Sequence, residues 1–305
     1  MPLKIGLPRA LLYHRYAVLW NTFFDELGVE RIVSPPTNKE ILDRGAARAI
    51  DEACLSLKIY FGHVDYLTGK CDYILTPRIC GWGIEREMCT RFESLYDLSC
   101  NVFRDTGQKF ISYNIDPKAK QDEEEAFRQM GLELGFTRKE IKNAYKRAKK
   151  AESESYKKKL KQQESKLGQN KRKILVAAHS YVIEDAYIGK VIIDYLEQAG
   201  AEVIRADIVD RKNALKKSVS LSSTMKWEMS REIAGGIQMY RDKVDGIILI
   251  SAFSCGPDSM VNEMIIRKVK NVPILNLTVD AQEGTAGVET RLESFLDIIA
   301  FKESK

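Results

Sequence analysis

Hydrophobic positions in the first 116 residues alternate between short apolar runs and helical repeats. The run 3–7 predicts a strand, and residues 11–27 repeat their apolar positions with a helical period that ends at Gly28. Further strands are expected at 30–34, 71–77 and 109–115. A chain that alternates strands with helices is typical of an α/β domain built on a parallel sheet.

The second half of the chain repeats this pattern. Apolar strands are predicted at 173–179, 201–207, 245–253 and 273–279. Four pairs of positions correspond at offsets of 169 to 175 residues: Lys4 with Lys173, Gly28 with Gly200, Asp72 with Asp245, and Cys80 with Cys255. We therefore predict two Rossmann-like (flavodoxin-like) parallel-sheet domains, over 1–116 and 172–305.

Residues 117–171 differ from both halves, because they form polar helical patterns with only a thin apolar stripe. We predict a helical arm that links the two domains. Between Arg138 and Lys173 there are 15 Lys and Arg against four Glu, a net charge of +11, so the rest of a chain of net charge +5 carries −6. The aromatic residues of this segment are too few to form a stacking platform, and no known nucleic-acid-binding motif is present, so nucleic-acid binding is not expected. The arm is instead a candidate for docking an acidic partner.

The overall composition predicts a globular cytoplasmic protein. Hydrophobic residues make up 44% of the chain and charged residues 30%. The longest uncharged apolar runs are about eight to ten residues, and a membrane-spanning helix needs roughly 20. The first residues have no signal-peptide pattern, so a cytoplasmic location without a membrane contact is expected. Assembly into a homo-oligomer is left open.

Six cysteines are the main candidates for chemistry, and five of them fall within 47 residues. Cys80 and Cys89 follow the strand 71–77, Cys255 follows the strand 245–253, and Cys54 is expected near the end of a preceding helix. Ligands of parallel sheets bind beyond the carboxyl ends of the strands, so these thiols can converge on a cleft between the domains. The close Cys pairs of structural zinc sites do not occur. From the residues alone, an iron–sulfur cluster, a zinc site and ordinary buried cysteines all remain open.

Several strings then resemble a known family: GLPRALLYHRYAVLWNTFFDELG, VSPPTNKEILDRG, DEACLSLKIYFGHVDYL and CGPDSMVNEMI. They resemble the stand-alone acyl-CoA dehydratase activase-related family, which is similar to the 2-hydroxyacyl-CoA dehydratase subunits and the double-cubane-cluster proteins. The resemblance covers residues 3–115 and 173–300. It implies two Rossmann-like domains that hold a [4Fe–4S] cluster through cysteines at the interdomain cleft. It also implies reduction by a separate ATP-hydrolysing activase with its own [4Fe–4S] cluster.

The resemblance implies that Cys54, Cys89 and Cys255 are the cluster ligands. Cys80 departs from the family pattern, and it is a fourth ligand, a ligand of a second cubane, or a bystander. Three ligands leave one iron open to a substrate, whereas four close the cluster, so the reaction class stays open. The alternatives are a dehydratase (lyase) component acting on an acyl-CoA, a double-cubane [8Fe–9S] component of an ATP-dependent reductase of small molecules, and a non-catalytic cluster carrier or scaffold.

Five further residues are candidates for a supporting role: Gly256, Asp258, Lys58, Arg78 and His179. Gly256 lets the backbone approach a cluster, and Asp258 is a polar residue in the first turn of a helix. Lys58 can favour the Cys54 thiolate, and Arg78 can compensate cluster charge, although both also suit an ordinary surface. His179, at the end of the strand 173–179, is a ligand or proton donor or a structural histidine. No glycine-rich nucleotide loop is present, so the ATP step is assigned to the partner.

Overall fold

The computed structural model describes residues 2–83, 86–281 and 286–303, and it divides into two compact units. The first unit is Met1–Lys157 with Lys226–Glu228, and the second is Lys158–Met225 with Met229–Lys305. Each unit contains a four-stranded parallel sheet with helices between its strands. The predicted α/β class with parallel sheets is confirmed.

The sheet of the first unit has the strand order β2-β1-β3-β7, and every neighbouring pair is parallel. Two short pairs lie beside it, β4 with β8 in parallel and β5 with β6 in antiparallel orientation. The elements are β1 (Lys4–Leu7), α1 (Tyr13–Glu26), β2 (Glu30–Val33), α2 (Lys39–Arg48), α3 (Leu55–Leu67), β3 (Tyr73–Leu75), β4 (Arg78–Ile79), β5 (Gly81–Gly83), β6 (Arg86–Glu87), α4 (Thr90–Glu93), α5 (Leu95–Val102), β7 (Lys109–Ile111), β8 (Asn114–Ile115), α6 (Glu123–Glu133) and α7 (Arg138–Leu167). The last of these, α7, continues into the second unit after Lys157.

The sheet of the second unit has the equivalent order β10-β9-β11-β12, again with parallel neighbours. Its central strand β11 is buried along its whole length. The elements are β9 (Lys173–Ala177), α8 (Ser180–Ile183), α9 (Gly189–Gln198), β10 (Glu202–Arg205), α10 (Arg211–Ser218), α11 (Glu228–Tyr240), β11 (Gly246–Ala252), α12 (Gly256–Lys268), β12 (Ile274–Val279) and α13 (Ala286–Glu303).

The repeat read from the sequence is also present in the hydrogen bonding of the two units. The Lys4 amide donates to the Asp72 carboxylate at 2.7 Å, and the Lys173 amide donates to the Asp245 carboxylate at the same distance. Each aspartate therefore fixes the first residue of the neighbouring strand. Gly28 and Gly200 both follow a helix and have φ of +69° and +81°, a conformation that glycine adopts without steric cost.

One predicted helix is shorter than expected, and this changes the setting of Cys54. The pattern 39–54 favours a single helix, but α2 ends at Arg48 and Cys54 lies at the start of α3. The two helices pack backbone against backbone at Gly45, where a Cβ atom would lie 1.8 Å from the Lys58 carbonyl oxygen. The chain must turn between two helices in such close contact, so one continuous helix is excluded.

The polar segment predicted as an arm forms α6 and α7. Phe127 of α6 is fully buried, and its ring centroid lies 4.9 Å from that of Phe23 and 4.7 Å from that of Tyr113. α7 has 30 residues, about 45 Å at 1.5 Å per residue. Ile141, Ala144 and Ala148 form its buried face. The thin apolar stripe of this segment therefore packs into a core, while its other faces stay polar.

The helices give no sign of a membrane span. Within the described parts of the chain, none combines the length and the apolar character needed to cross a bilayer.

Candidate functional site: cysteines at helix N-termini

Cys54, Cys89 and Cys255 share one local setting, because each is the N-cap residue of a helix. Cys54 precedes α3, Cys89 precedes α4 and Cys255 precedes α12, each with an extended backbone. All three residues are half-buried. The first amide groups of a helix have no partner within the helix, and its N-terminus carries a partial positive charge.

The other three cysteines have different settings. Cys71 donates to the carbonyl oxygen of Leu67 at 3.6 Å, and burial raises the pKa of its thiol to about 11. Cys100 lies within α5, and burial also raises its pKa. Both residues therefore favour the neutral thiol, which is typical of structural cysteines.

Cys80 lies in the loop that also carries Cys89. Its carbonyl oxygen accepts from the Met88 amide at 2.9 Å, so the chain before Cys89 runs alongside Cys80. Burial raises the pKa of the Cys80 thiol, and the charges of Asp116 and Glu93 raise it further. Arg78 opposes this shift through a hydrogen bond to the thiol. In the protein alone, the surroundings of Cys80 favour its protonated form.

The two predicted cationic residues of this unit take part in other contacts. Arg78 lies 3.7 Å from the Asp97 carboxylate, in addition to its bond to Cys80. The Lys58 ammonium donates to the carbonyl oxygen of Asp51 at 2.9 Å, in the turn that leads to Cys54. Lys58 therefore holds the backbone turn before Cys54 in place.

In the second unit, His179 and Asp258 form a buried pair next to Cys255. His179 Nε2 lies 2.8 Å from Asp258 Oδ1, and the two residues are 5% and 7% exposed. Burial alone would raise the pKa of Asp258, but the charge and hydrogen bond of His179, together with a hydrogen bond from Cys255, hold it below its ordinary value. Asp258 therefore bonds to both His179 and the Cys255 thiol, which the sequence alone did not predict.

Gly256 follows Cys255 and has free space beside it. A Cβ atom built on Gly256 would have no neighbour within 4 Å, and its φ is not positive. Neither packing nor backbone conformation within the described residues requires a glycine at this position. Gly256 is exposed, so the backbone at this position is open to solvent and accessible to a bound group.

The donor atoms of the three N-cap cysteines can be compared with what a metal group needs. Among the residues that the structure describes, no three His, Cys, Asp or Glu side chains lie close enough together to hold a metal ion. Thiolates are soft donors, the type of ligand that iron–sulfur clusters use. The donor chemistry of Cys54, Cys89 and Cys255 fits such a cluster, and the cluster itself belongs to the proposal below.

A histidine within a helix is usually a packed or capping residue, and the burial of His63 in α3 confirms that it is packed. The sequence did not indicate the polar contacts that surround it. Fully buried His63 contacts Ser34 Oγ through Nδ1 at 2.8 Å and Thr37 Oγ1 through Nε2 at 3.0 Å. The Arg9 amide also donates to Ser34 Oγ, at 2.8 Å. Arg9 and Ser34 follow β1 and β2 at the carboxyl edge of the sheet, a position that could have drawn attention to them.

Comparison with known proteins gives one decisive match. The model of the CoA enzyme activase uncharacterised domain (DUF2229) matches residues 4–209, about two thirds of the chain. The chain belongs to the CoA enzyme activase uncharacterised domain family. The predicted activase-related family is thereby confirmed. The region that matches the CoA enzyme activase domain includes Cys54, Cys80 and Cys89 and ends before Cys255.

Other comparisons add only weak similarities to this CoA enzyme activase domain protein. The crystal structure of ZnuA shares 12% identity, with 98% of this chain and 99% of that chain covered and a TM-score of 0.30. The C-terminal domain of glucosamine-fructose-6-phosphate aminotransferase from Francisella tularensis shares 11% identity, with 98% and 85% covered and a TM-score of 0.25. A comparison with the curated proteins finds no match.

Proposed function

We propose that this protein is an iron–sulfur component of the 2-hydroxyacyl-CoA dehydratase type. In this proposal the thiolates of Cys54, Cys89 and Cys255 ligate a [4Fe–4S] cluster, and Cys80 is a candidate fourth ligand. The bound cluster would supply one-electron chemistry at low potential. The membership in a CoA enzyme activase domain family supports a role in an activase and dehydratase system.

The observation that carries the proposal is the shared setting of the three thiols. Each of them is the N-cap residue of a helix, whereas Cys71, Cys80 and Cys100 are not N-cap residues and burial raises their pKa values. Helix N-termini supply amide donors that can bond to the sulfurs of a cluster, and such bonds tune its potential. Gly256 is exposed, so a group as large as a cluster has access to the backbone beside Cys255, as the assignment requires.

In the proposed system the electrons come from a separate ATP-hydrolysing activase with its own [4Fe–4S] cluster. The present chain then uses the electrons on an acyl-CoA or another small substrate, or passes them on. On this chain, His179 fixes Asp258 beside Cys255, and the proton that the Cys255 thiol donates to Asp258 in the protein alone would have to leave before the thiolate could bind iron. Gly256 leaves the backbone of this turn accessible.

The proposal is tested by isolating the full-length protein without oxygen and measuring its iron and acid-labile sulfide. A brown protein with about four irons per chain supports a single cubane, and about eight irons support the double-cubane alternative. A colourless protein that holds no iron after anaerobic reconstitution with iron and sulfide contradicts both forms.

A second candidate function, docking to an acidic partner as a cluster carrier, is favoured by a stripe of lysines on α7. Five lysines of α7 recur every three, four or seven residues, so at 100° per residue they share one helix face. They are Lys139, Lys142, Lys146, Lys150 and Lys157. They are exposed and lie opposite the buried face of Ile141, Ala144 and Ala148. Of these five lysines, Lys150 alone has an ion pair with a described residue, Glu154 at 3.9 Å. An acidic helix of a partner protein would match this face in charge and spacing.

A further inference from the structure

The loop after β1 lies at the place in the first sheet where the strand order reverses. In the order β2-β1-β3-β7, the chain leaves β1 toward one neighbour and later adds β3 on the other side. Open parallel sheets bind ligands beyond the carboxyl ends of the strands at this reversal. Arg9 follows β1 by two residues and therefore lies in this position.

Ser34 and His63 anchor the Arg9 backbone. The Arg9 amide donates to Ser34 Oγ, and the same oxygen contacts His63 Nδ1. Leu11, two residues further on, has a φ of +47°, which is uncommon for a residue other than glycine. Strained residues of this kind persist where the surrounding contacts fix them, and they cluster at binding sites. The loop is therefore held in one conformation.

Arg9 has no acidic partner among the residues that the structure describes. Burial lowers the pKa of His63 to about 3, and the positive charges of His14 and Arg9 lower it further. His63 is therefore neutral, and no negative charge contributes to its shift. The Arg9 Nε atom is buried and has no hydrogen-bond partner, and Arg9 forms no ion pair with any residue in the described ranges. Arg31, Arg44 and Arg48 of the same unit all bond to carboxylates.

An arginine that is half-buried without a counter-ion loses hydration and gains no charge partner, which lowers stability. We propose that Arg9 is the anchor of a binding site for an oxyanion, a phosphate or carboxylate group of a small ligand, at the carboxyl edge of the first sheet. A guanidinium binds either group through paired N–H donors. The site uses neither the thiols nor a cluster, so it stands or fails independently of the proposed function.

The test measures phosphate binding and thermal unfolding of the full-length protein. Inorganic phosphate is expected to raise the melting temperature above that in chloride of equal ionic strength, and parallel titrations with acetate show which oxyanion binds more tightly. Arg9→Met removes the charge and keeps the chain length. It is expected to weaken phosphate binding at least tenfold, the loss of a charged hydrogen bond, while it raises the melting temperature without phosphate. Arg104→Met, an exposed residue of the same unit, is the matched control and is expected to change neither quantity.

Three results would overturn the proposal. The first is an unchanged phosphate affinity in Arg9→Met, and the second is an equal effect of phosphate and chloride on the melting temperature of the wild-type protein. The third is a lower melting temperature of Arg9→Met without phosphate, because removal of a purely structural arginine would destabilise the fold. If Arg9→Met does not fold, phosphate binding is measured with Arg9→Lys instead, because lysine keeps the positive charge but lacks the planar pair of N–H donors. It is expected to bind phosphate at least threefold more weakly, and an affinity equal to the wild type contradicts the site.

Discussion

His179 and Asp258 are 79 residues apart in the sequence, and their side chains are joined by a buried hydrogen bond of 2.8 Å. The pair connects the end of β9 with the first turn of α12, and Asp258 also bonds to the Cys255 thiol. The pair therefore fixes the chain after β9 to the first turn of α12, next to Cys255, a proposed cluster ligand.

Asp258→Ala is predicted to destabilise the protein by about 3 kcal/mol, because it leaves the buried His179 without its charged partner. Urea unfolding at neutral pH measures the loss. A double-mutant cycle with His179→Gln is expected to give a coupling of about 1–3 kcal/mol. Strictly additive effects of the two substitutions would contradict the pairing.

His63 is predicted to make the protein sensitive to moderate acid. Burial, followed by the charges of His14 and Arg9, lowers its pKa from 6.5 to about 3, so between these values the unfolded chain binds a proton that the folded chain does not. The contribution of neutral His63 to the free energy of unfolding is fully present above pH 6.5 and decreases as the pH falls toward 3. The linkage relation gives a loss of about 2 kcal/mol between pH 7 and pH 5.

Urea unfolding at the two pH values measures this loss, and His63→Gln serves as the comparison. The variant retains a polar side chain but has no proton to bind in this range, so its stability is expected to change less between pH 7 and pH 5. An equal change in both proteins would show that His63 does not set the acid sensitivity.

Gly256→Ala is predicted to separate folding from cluster binding. The added methyl group meets no described atom, so the free energy of unfolding of the metal-free protein should change by less than about 0.5 kcal/mol. Iron content after anaerobic reconstitution should fall, because the methyl group occupies the space beside Cys255. Gly45→Ala is the contrasting variant, since its Cβ atom would lie 1.8 Å from a backbone oxygen, and it should destabilise the fold. Full iron content in Gly256→Ala would remove the support that Gly256 gives to the cluster site.

The lysine stripe of α7 is predicted to act in docking and not in folding. The triple change Lys139→Gln, Lys142→Gln and Lys146→Gln removes three exposed charges without ion pairs, so the melting temperature should stay the same. Binding of a labelled poly-L-glutamate peptide, measured by fluorescence anisotropy, should weaken at least fivefold and should decrease with added salt. The control changes Lys212, Lys216 and Lys217 of α10 to Gln. If both triple substitutions weaken binding of the peptide equally, the binding depends on net charge alone and not on the lysine stripe of α7.

The periodicity of the sequence was sufficient to predict the parallel sheets and their repetition. Apolar runs marked the strands, and the corresponding positions Asp72 and Asp245 form the same hydrogen bond to Lys4 and Lys173. Local spacing could not predict where α2 ends, because the end depends on the contact between Gly45 and the backbone of α3.

In the candidate site too, the residues could be chosen from the sequence, but their contacts could not. The resemblance selected Cys54, Cys89 and Cys255 from six cysteines, and the helix boundaries then showed that each one is an N-cap. Asp258 and His179 were singled out separately, but their contact depends on how β9 and α12 meet, which no spacing along the chain encodes. The loop of Arg9 was missed because a lone arginine after a strand has no distinctive pattern.

The most direct test of the central claim is the iron content of cysteine variants after anaerobic reconstitution. Cys54→Ala, Cys89→Ala and Cys255→Ala each remove a proposed ligand, and Cys100→Ala removes a half-buried thiol within α5 as the matched control. Iron per chain is expected to fall to less than half of the wild-type value in the first three variants and to stay unchanged in Cys100→Ala. Full iron content in Cys255→Ala, or loss of iron in Cys100→Ala alone, would contradict the proposed ligand set.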